Sequence, residues 1–246
     1  MECPKCLHSQ ADSNVECERC GLVFAKYRPR PPRVEAEAAA AAPAAPSRVS
    51  RVLEYLLFMK PADGAVGLYA RAVLLMLLFL WSWWFWLSPP EANYVGRSFM
   101  HLVNLPFHEA GHVLFRPLGV FMTSLGGSLN QILMPLVCAT VLLVKTRDTF
   151  GASVALWWMG ESFMDLAPYI GDARSMSLLL LGGNTGYSAP YGFHDWNFLL
   201  TEAGLLERDA FLSGLSAWTG ILLMAASIAW GAAVLLKAGR RLHGRG

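Results

Sequence analysis

Four stretches of the chain are almost continuously apolar, at residues 68–87, 125–144, 150–170 and 211–236. Each is about 20 residues or longer, the length of helix that crosses a hydrocarbon core of roughly 30 Å. The first ends in Trp81, Trp83, Trp84 and Trp86, residues that favour a membrane–water interface. The second is closed by Lys145 and Arg147, and the fourth is followed by Lys237, Arg240, Arg241 and Arg245. A fifth apolar stretch, residues 98–122, is interrupted by His101, His108, Glu109, His112 and Arg116, and is expected to cross or to re-enter. The run at 176–181 is too short to span. The pattern predicts an all-α, polytopic transmembrane helical bundle of four to six membrane segments. The basic ends place both termini in the cytoplasm by the positive-inside rule, with an even number of crossings. The expected location is a lipid bilayer, the inner membrane of a bacterium.

The first fifty residues break this pattern and are polar. Four of the five cysteines lie here, as Cys3-Pro-Lys-Cys6 and Cys17-Glu-Arg-Cys20, with ten residues between the pairs. Two CxxC knuckles at this spacing offer tetrahedral thiolate ligation of one structural Zn²⁺, and Gly21 suits the tight turn after the second. No stretch resembling a cleavable signal precedes them, so a reducing compartment and free thiolates are expected rather than disulfides. Residues 1–27 read as a zinc ribbon too small to bury a core, in which metal binding supplies the folding energy. Residues 28–50, rich in Pro, Ala and Arg, read as a linker, and 51–246 as the membrane domain. Cys138, inside an apolar run, reads as a packing residue.

Composition sharpens the picture. Hydrophobic residues are 54% and charged residues 15% of the 246, against about 25% charged in a soluble domain. Mean hydropathy is +0.38. An ordinary soluble enzyme and a disordered chain are both excluded. The net charge of +2 is too small to argue for a nucleic-acid partner. The ribbon has no aromatic platform for stacking bases, so a protein partner is the expectation for it.

The chemistry-bearing string is His108-Glu109-Ala110-Gly111-His112. On a helix, two histidines four apart share a face and can hold one Zn²⁺, and the glutamate beside the first can take a proton from a zinc-bound water. Pro106 is tolerated near a helix start, which places this H-E-x-x-H motif in the first turns. Ionisable residues in an apolar membrane segment are costly and read as functional.

This string in an apolar helix resembles the intramembrane zinc metalloproteases of the site-2 protease family. The resemblance implies a third zinc ligand, an Asp from a later membrane segment in an Asn-x-x-Pro-(x)n-Asp-Gly context. The matching string runs from Asp165 through Pro168 to Asp172, with Asp165 where the family often has Asn and Ala173 in place of the Gly. Asp172 takes the family position, with Asp165 the alternative ligand. Glu161, four residues before Asp165, offers a third choice in the manner of soluble thermolysin-like enzymes. His194-Asp195-Trp196, in a Gly/Tyr-rich loop, can also lie over the site; the alternative for His194 is a loop histidine bonding Asp195. Gly127 to Gln131 resembles the family's strip beside the substrate. The expected activity is zinc-dependent cleavage of a membrane-anchored protein, with Glu109 as general base and one catalytic besides one structural Zn²⁺. A non-catalytic membrane scaffold with a structural or vestigial metal site is the alternative. A metal sensor or transporter is weakened by the scarcity of further intramembrane carboxylates.

Overall fold

The computed structural model describes residues 1–28, 47–59, 64–89 and 93–243. The chain divides into two compact units, Met1–Ser47 and Arg48–Gly246. Most of the expected linker lies outside the described residues, and its last residues already belong to a helix that begins at Arg48.

The small unit is built twice from one pattern. Residues 2–11 (ECPKCLHSQA) and 16–25 (ECERCGLVFA) repeat at an interval of fourteen. In the first copy, Cys3 N–H donates to the His8 carbonyl and Leu7 N–H to the Cys3 carbonyl; in the second, Cys17 donates to Leu22 and Gly21 to Cys17. Antiparallel bridges Glu2↔Ser9 and Glu16↔Val23 close both turns. The four cysteines converge into one cluster. Sγ–Sγ distances are 3.7 Å for Cys3–Cys20 and 3.6 Å for Cys6–Cys17. With Zn–S near 2.3 Å, the edge of a tetrahedron is about 3.8 Å, so the cluster can accept a metal ion such as zinc.

The large unit is helical among its described residues. We label α1 Arg48–Leu56, α2 Gly64–Trp86, α3 Phe99–Phe115, α4 Val120–Thr140, α5 Thr149–Gly171, α6 Asp195–Glu202 and α7 Asp209–His243. A π-helical turn, Val141–Thr146, extends α4. Three helical stretches are long and apolar enough to cross a membrane: Gly64–Trp86, Val120–Thr146 and Leu206–Leu242. Their exposed side chains, among them Val73, Leu77, Leu133 and Leu222, are those that lipid would cover.

The expectation of four to six crossing segments exceeds these three. At 17 residues, α3 is roughly 26 Å long, a little under the hydrocarbon thickness. Helix α5 has the length but carries Glu161 and Asp165, and it buries fourteen of its residues against its neighbours. It is the centre of the bundle rather than a lipid-facing span. Its contact with α7 is at backbone distance: a Cβ on Gly220 would lie 2.5 Å from the Gly160 carbonyl oxygen. Ser213 and Ser216 of α7 donate to the Ala167 and Phe163 carbonyls at 2.6 and 2.7 Å, the small-residue and hydroxyl packing that holds helices together in lipid. One core joins Leu78, Phe85, Trp157, Met164 and Met224, and a second joins Leu68, Phe150, Val234 and Leu235.

The expectation for Pro106 is corrected. Pro106 lies inside α3 rather than near its start, so the H-E-x-x-H string occupies the helix's second half. Pro168 does not interrupt α5, which continues to Gly171. Neighbouring helices satisfy backbone groups freed by proline in membrane bundles.

The repeat in the small unit generates a prediction. Leu7 has φ 58°, where its counterpart Gly21 has φ 65°. A side chain in the left-handed region costs roughly 1–2 kcal/mol. Leu7→Gly should therefore hold the ribbon's metal against about tenfold more chelator, while Gly21→Leu should release it sooner, read by chelator titration of the full chain. Unchanged retention in Leu7→Gly would remove strain as a factor.

Candidate metal centre

Helices α3 and α4 cross at backbone contact. A Cβ on Gly111 would fall 2.1 Å from the Gly126 carbonyl oxygen, and one on Gly126 would fall 2.6 Å from the Phe115 Cβ. The next residue, Gly127, faces both imidazoles, its absent Cβ only 2.5 Å from His108 Nε2 and 2.7 Å from His112 Nε2. Glycine at 127 leaves the space in which the two rings meet. Asn130 straps the crossing with an amide bond to the Phe107 carbonyl at 2.7 Å.

The ring orientations are set from behind. His108 Nδ1–H donates to Gln131 Oε1 at 3.0 Å, and His112 Nδ1–H donates to the Thr123 carbonyl at 2.9 Å. Both Nε2 lone pairs then face forward, the arrangement by which outer partners fix the tautomer of a metal-ligating histidine. They converge on one carboxylate oxygen. Asp195 Oδ2 lies 3.3 Å from His108 Nε2 and 3.4 Å from His112 Nε2. A tetrahedral Zn²⁺ with N and O ligands near 2.0–2.1 Å has ligand–ligand edges of about 3.3 Å. The three groups fit the ion as they stand, and together they form a cluster able to hold a metal.

Asp195 opens α6 and is held by Tyr169 of α5. The Tyr169 hydroxyl donates to Asp195 Oδ2 at 3.2 Å and accepts from the Asp195 backbone N–H at 2.9 Å. Glu109 lines a cavity of about 610 Å³ in front of the three groups, together with His101, Arg116, Leu178, Leu181 and Phe193.

Of the carboxylates singled out in the sequence, Asp165 lines the same cavity, but neither it nor Asp172 joins the cluster. Asp172 caps α5 and accepts from Ser175 Oγ, from the Ser177 and Leu178 backbone N–H groups at 2.9 Å, and from His194 Nε2 at 3.3 Å. Burial opposes its charge, but these donors outweigh burial and hold its carboxyl well below the usual carboxylate range. It is a structural cap that organises the loop leading to Asp195. His194 accordingly bonds Asp172 and not Asp195, and its Nδ1 caps α6 through the Asn197 N–H at 3.1 Å.

Asp165 lies one layer behind the histidines. It accepts from Gln131 Nε2 at 3.0 Å, from His101 Nδ1 at 2.9 Å and from Asn104 Nδ2 at 3.1 Å. Asn104 also donates to the fully buried Glu161 at 2.9 Å and accepts from Trp158 Nε1 at 2.8 Å. The path Asp165–Gln131–His108 thus links the buried acids to the first imidazole. Arg174 pairs with Asp209 at 2.8 Å and Glu207 at 3.0 Å. Cys138 is half-buried and outside both clusters.

No model of a protein family, no curated protein and no solved structure matches this chain. The site is read from its own geometry.

Metal counting tests that reading. The full chain should carry two zinc ions. Asp195→Ala should lose one of them, and Cys3→Ser with Cys6→Ser should lose the other. Asp172→Ala should keep both, and Gln131→Ala should weaken the histidine site about 10- to 100-fold. Loss of an ion in Asp172→Ala with retention in Asp195→Ala would reverse the assignment.

Proposed function

We propose that the chain is an intramembrane zinc-dependent endopeptidase that cleaves a membrane-anchored protein, a reading that agrees with the resemblance of its H-E-x-x-H string to site-2 proteases. The observation that carries it is the donor set. His108, His112 and Asp195 supply three protein ligands, and among the described residues no fourth joins the cluster. Three ligands leave a position for water or substrate, as in hydrolytic zinc sites, whereas structural sites are closed by four. Glu109 adjoins the first ligand and lines the same cavity.

In this reading His108, His112 and Asp195 hold the ion. Zinc held there would lower the pKa of a coordinated water to about 7 and polarise the scissile carbonyl. Glu109 takes the proton from the attacking water and delivers it to the leaving amine, so that the peptide C–N bond breaks without net proton release. Gln131 and Thr123 keep both imidazoles aimed, and Tyr169 keeps the Asp195 carboxylate in register. Leu178, Leu181 and Phe193 give the cavity an apolar rim. A substrate helix hides its carbonyls in its own hydrogen bonds, so it must unwind locally to enter.

The test is Glu109→Gln. The substitution keeps size and helix propensity but removes the base, which should cost about 10²- to 10⁴-fold in activity while both zinc ions stay bound. Quantitative proteomics of membrane fractions should show an uncleaved membrane-anchored protein accumulating in the variant. Full biological activity in Glu109→Gln would sink the protease reading and leave a structural metal site in a scaffold.

A further inference from the structure

Helix α1 has two unlike faces. Val49, Val52 and Leu53, at i, i+3 and i+4, form an apolar row with exposures of 68%, 56% and 51%. Arg51 lies on the other side and Arg48 at the edge of the row, and both are exposed. The helix is nevertheless fixed in place. Tyr55 Oη donates to the Leu143 carbonyl at 3.0 Å, in the π-helical end of α4, and Trp230 Nε1 donates to the Leu56 carbonyl at 2.7 Å. The Arg147 guanidinium sits 3.9 Å over the Tyr55 ring. Leu57 and Met59, just beyond α1, pack on Leu68, Phe150, Val234 and Leu235.

These contacts place α1 at one end of the bundle. There α2 begins, the α4 extension stops, α5 begins and α7 approaches its end. The same end carries Lys145, Lys237, Arg240 and Arg241 besides the two α1 arginines. The acids near it are Glu54 and Asp148, and Asp148 is engaged in capping α5 through the Gly151 N–H at 2.9 Å. An exposed apolar row, level with the ends of three helices of membrane-crossing length, is at the depth where acyl chains meet headgroups.

We propose that α1 and the cations around it form a docking face for anionic phospholipid. The apolar row of α1 enters the acyl boundary. Arg48 and Arg51, joined by Lys145, Lys237, Arg240 and Arg241, contact the phosphate headgroups of that leaflet. Charge complementarity selects the occupant: a cluster of cations on an amphipathic helix and beside membrane-crossing helices attracts an anionic leaflet, not a zwitterionic one. The face sets the orientation of the bundle. It is independent of the peptidase reading.

The experiment is a thermal-unfolding titration of the detergent-solubilised full chain with dioleoylphosphatidylglycerol, dioleoylphosphatidylcholine or glycerol phosphate. Phosphatidylglycerol should raise the unfolding midpoint, and the rise should shrink at high salt. Phosphatidylcholine and glycerol phosphate should leave the midpoint unmoved. Each cation near the surface contributes about fivefold, so Arg48→Gln with Arg51→Gln should raise the half-saturating lipid concentration about 25-fold. A second pair, Lys145→Gln with Arg241→Gln, should act likewise without touching α1. An equal response to phosphatidylcholine would reduce the effect to bulk lipid, and a response to glycerol phosphate would make the site one for a soluble anion. No response to any of the three would leave the face to a protein partner. Each of these outcomes, or wild-type behaviour in both variant pairs, overturns the proposal.

Discussion

The crossing of α3 and α4 at backbone contact is the constraint on which the candidate metal centre depends. Any side chain at Gly111, Gly126 or Gly127 would push the helices apart or fill the space where the imidazoles meet. Because the two backbones touch, the carbonyl of Thr123 and the amide of Gln131 come within reach of the two Nδ1 atoms. The ring nitrogens that remain are then aimed by helix geometry, not by chance rotamers. Three small residues thus convert an i, i+4 histidine pair, common enough in unrelated helices, into two preorganised ligands.

Behind that crossing lies a buried polar network whose groups bond one another, apart from Glu161 Oε1, which is buried without a partner among the described residues. Asp165 is its hub, bonded by Gln131, His101 and Asn104, with Glu161 reached through Asn104. The network explains why α5 is central although its length is that of a membrane span. It also ties the orientation of His108 to residues two layers away. Asp172 does the corresponding work for the third group. By capping α5 and gathering Ser177, Leu178 and His194, it holds the loop whose far end presents Asp195.

Much of this was legible in the residues, and the remainder was hidden for identifiable reasons. Helical periodicity alone brings His108 and His112 together, and the paired CxxC spacing alone brings four sulfurs together. The length of apolar runs marks α2, α4 and α7. The third group, Asp195, was not legible in this way. Asp195 is 87 residues from His108, in a loop without periodicity, whereas Asp172 and Asp165 sit at suggestive positions on a helix. What separates them is local demand: Asp172 is consumed by backbone donors at a helix end, and Asp165 by side-chain amides. A stronger signal was the acid at the first position of a helix after a glycine-rich loop, adjoining a histidine that caps it. The fourteen-residue repeat of the ribbon was also visible, and it accounts for the left-handed Leu7 as the counterpart of Gly21.

The most direct test of the metal centre is a zinc-edge anomalous difference map of the full chain. The account predicts an ion about 2.0–2.2 Å from His108 Nε2, His112 Nε2 and an Asp195 carboxylate oxygen. Its fourth position should be held by solvent on the side of Glu109. A map with the ion bound by four protein side chains, or with Asp172 or Asp165 in place of Asp195, would contradict it.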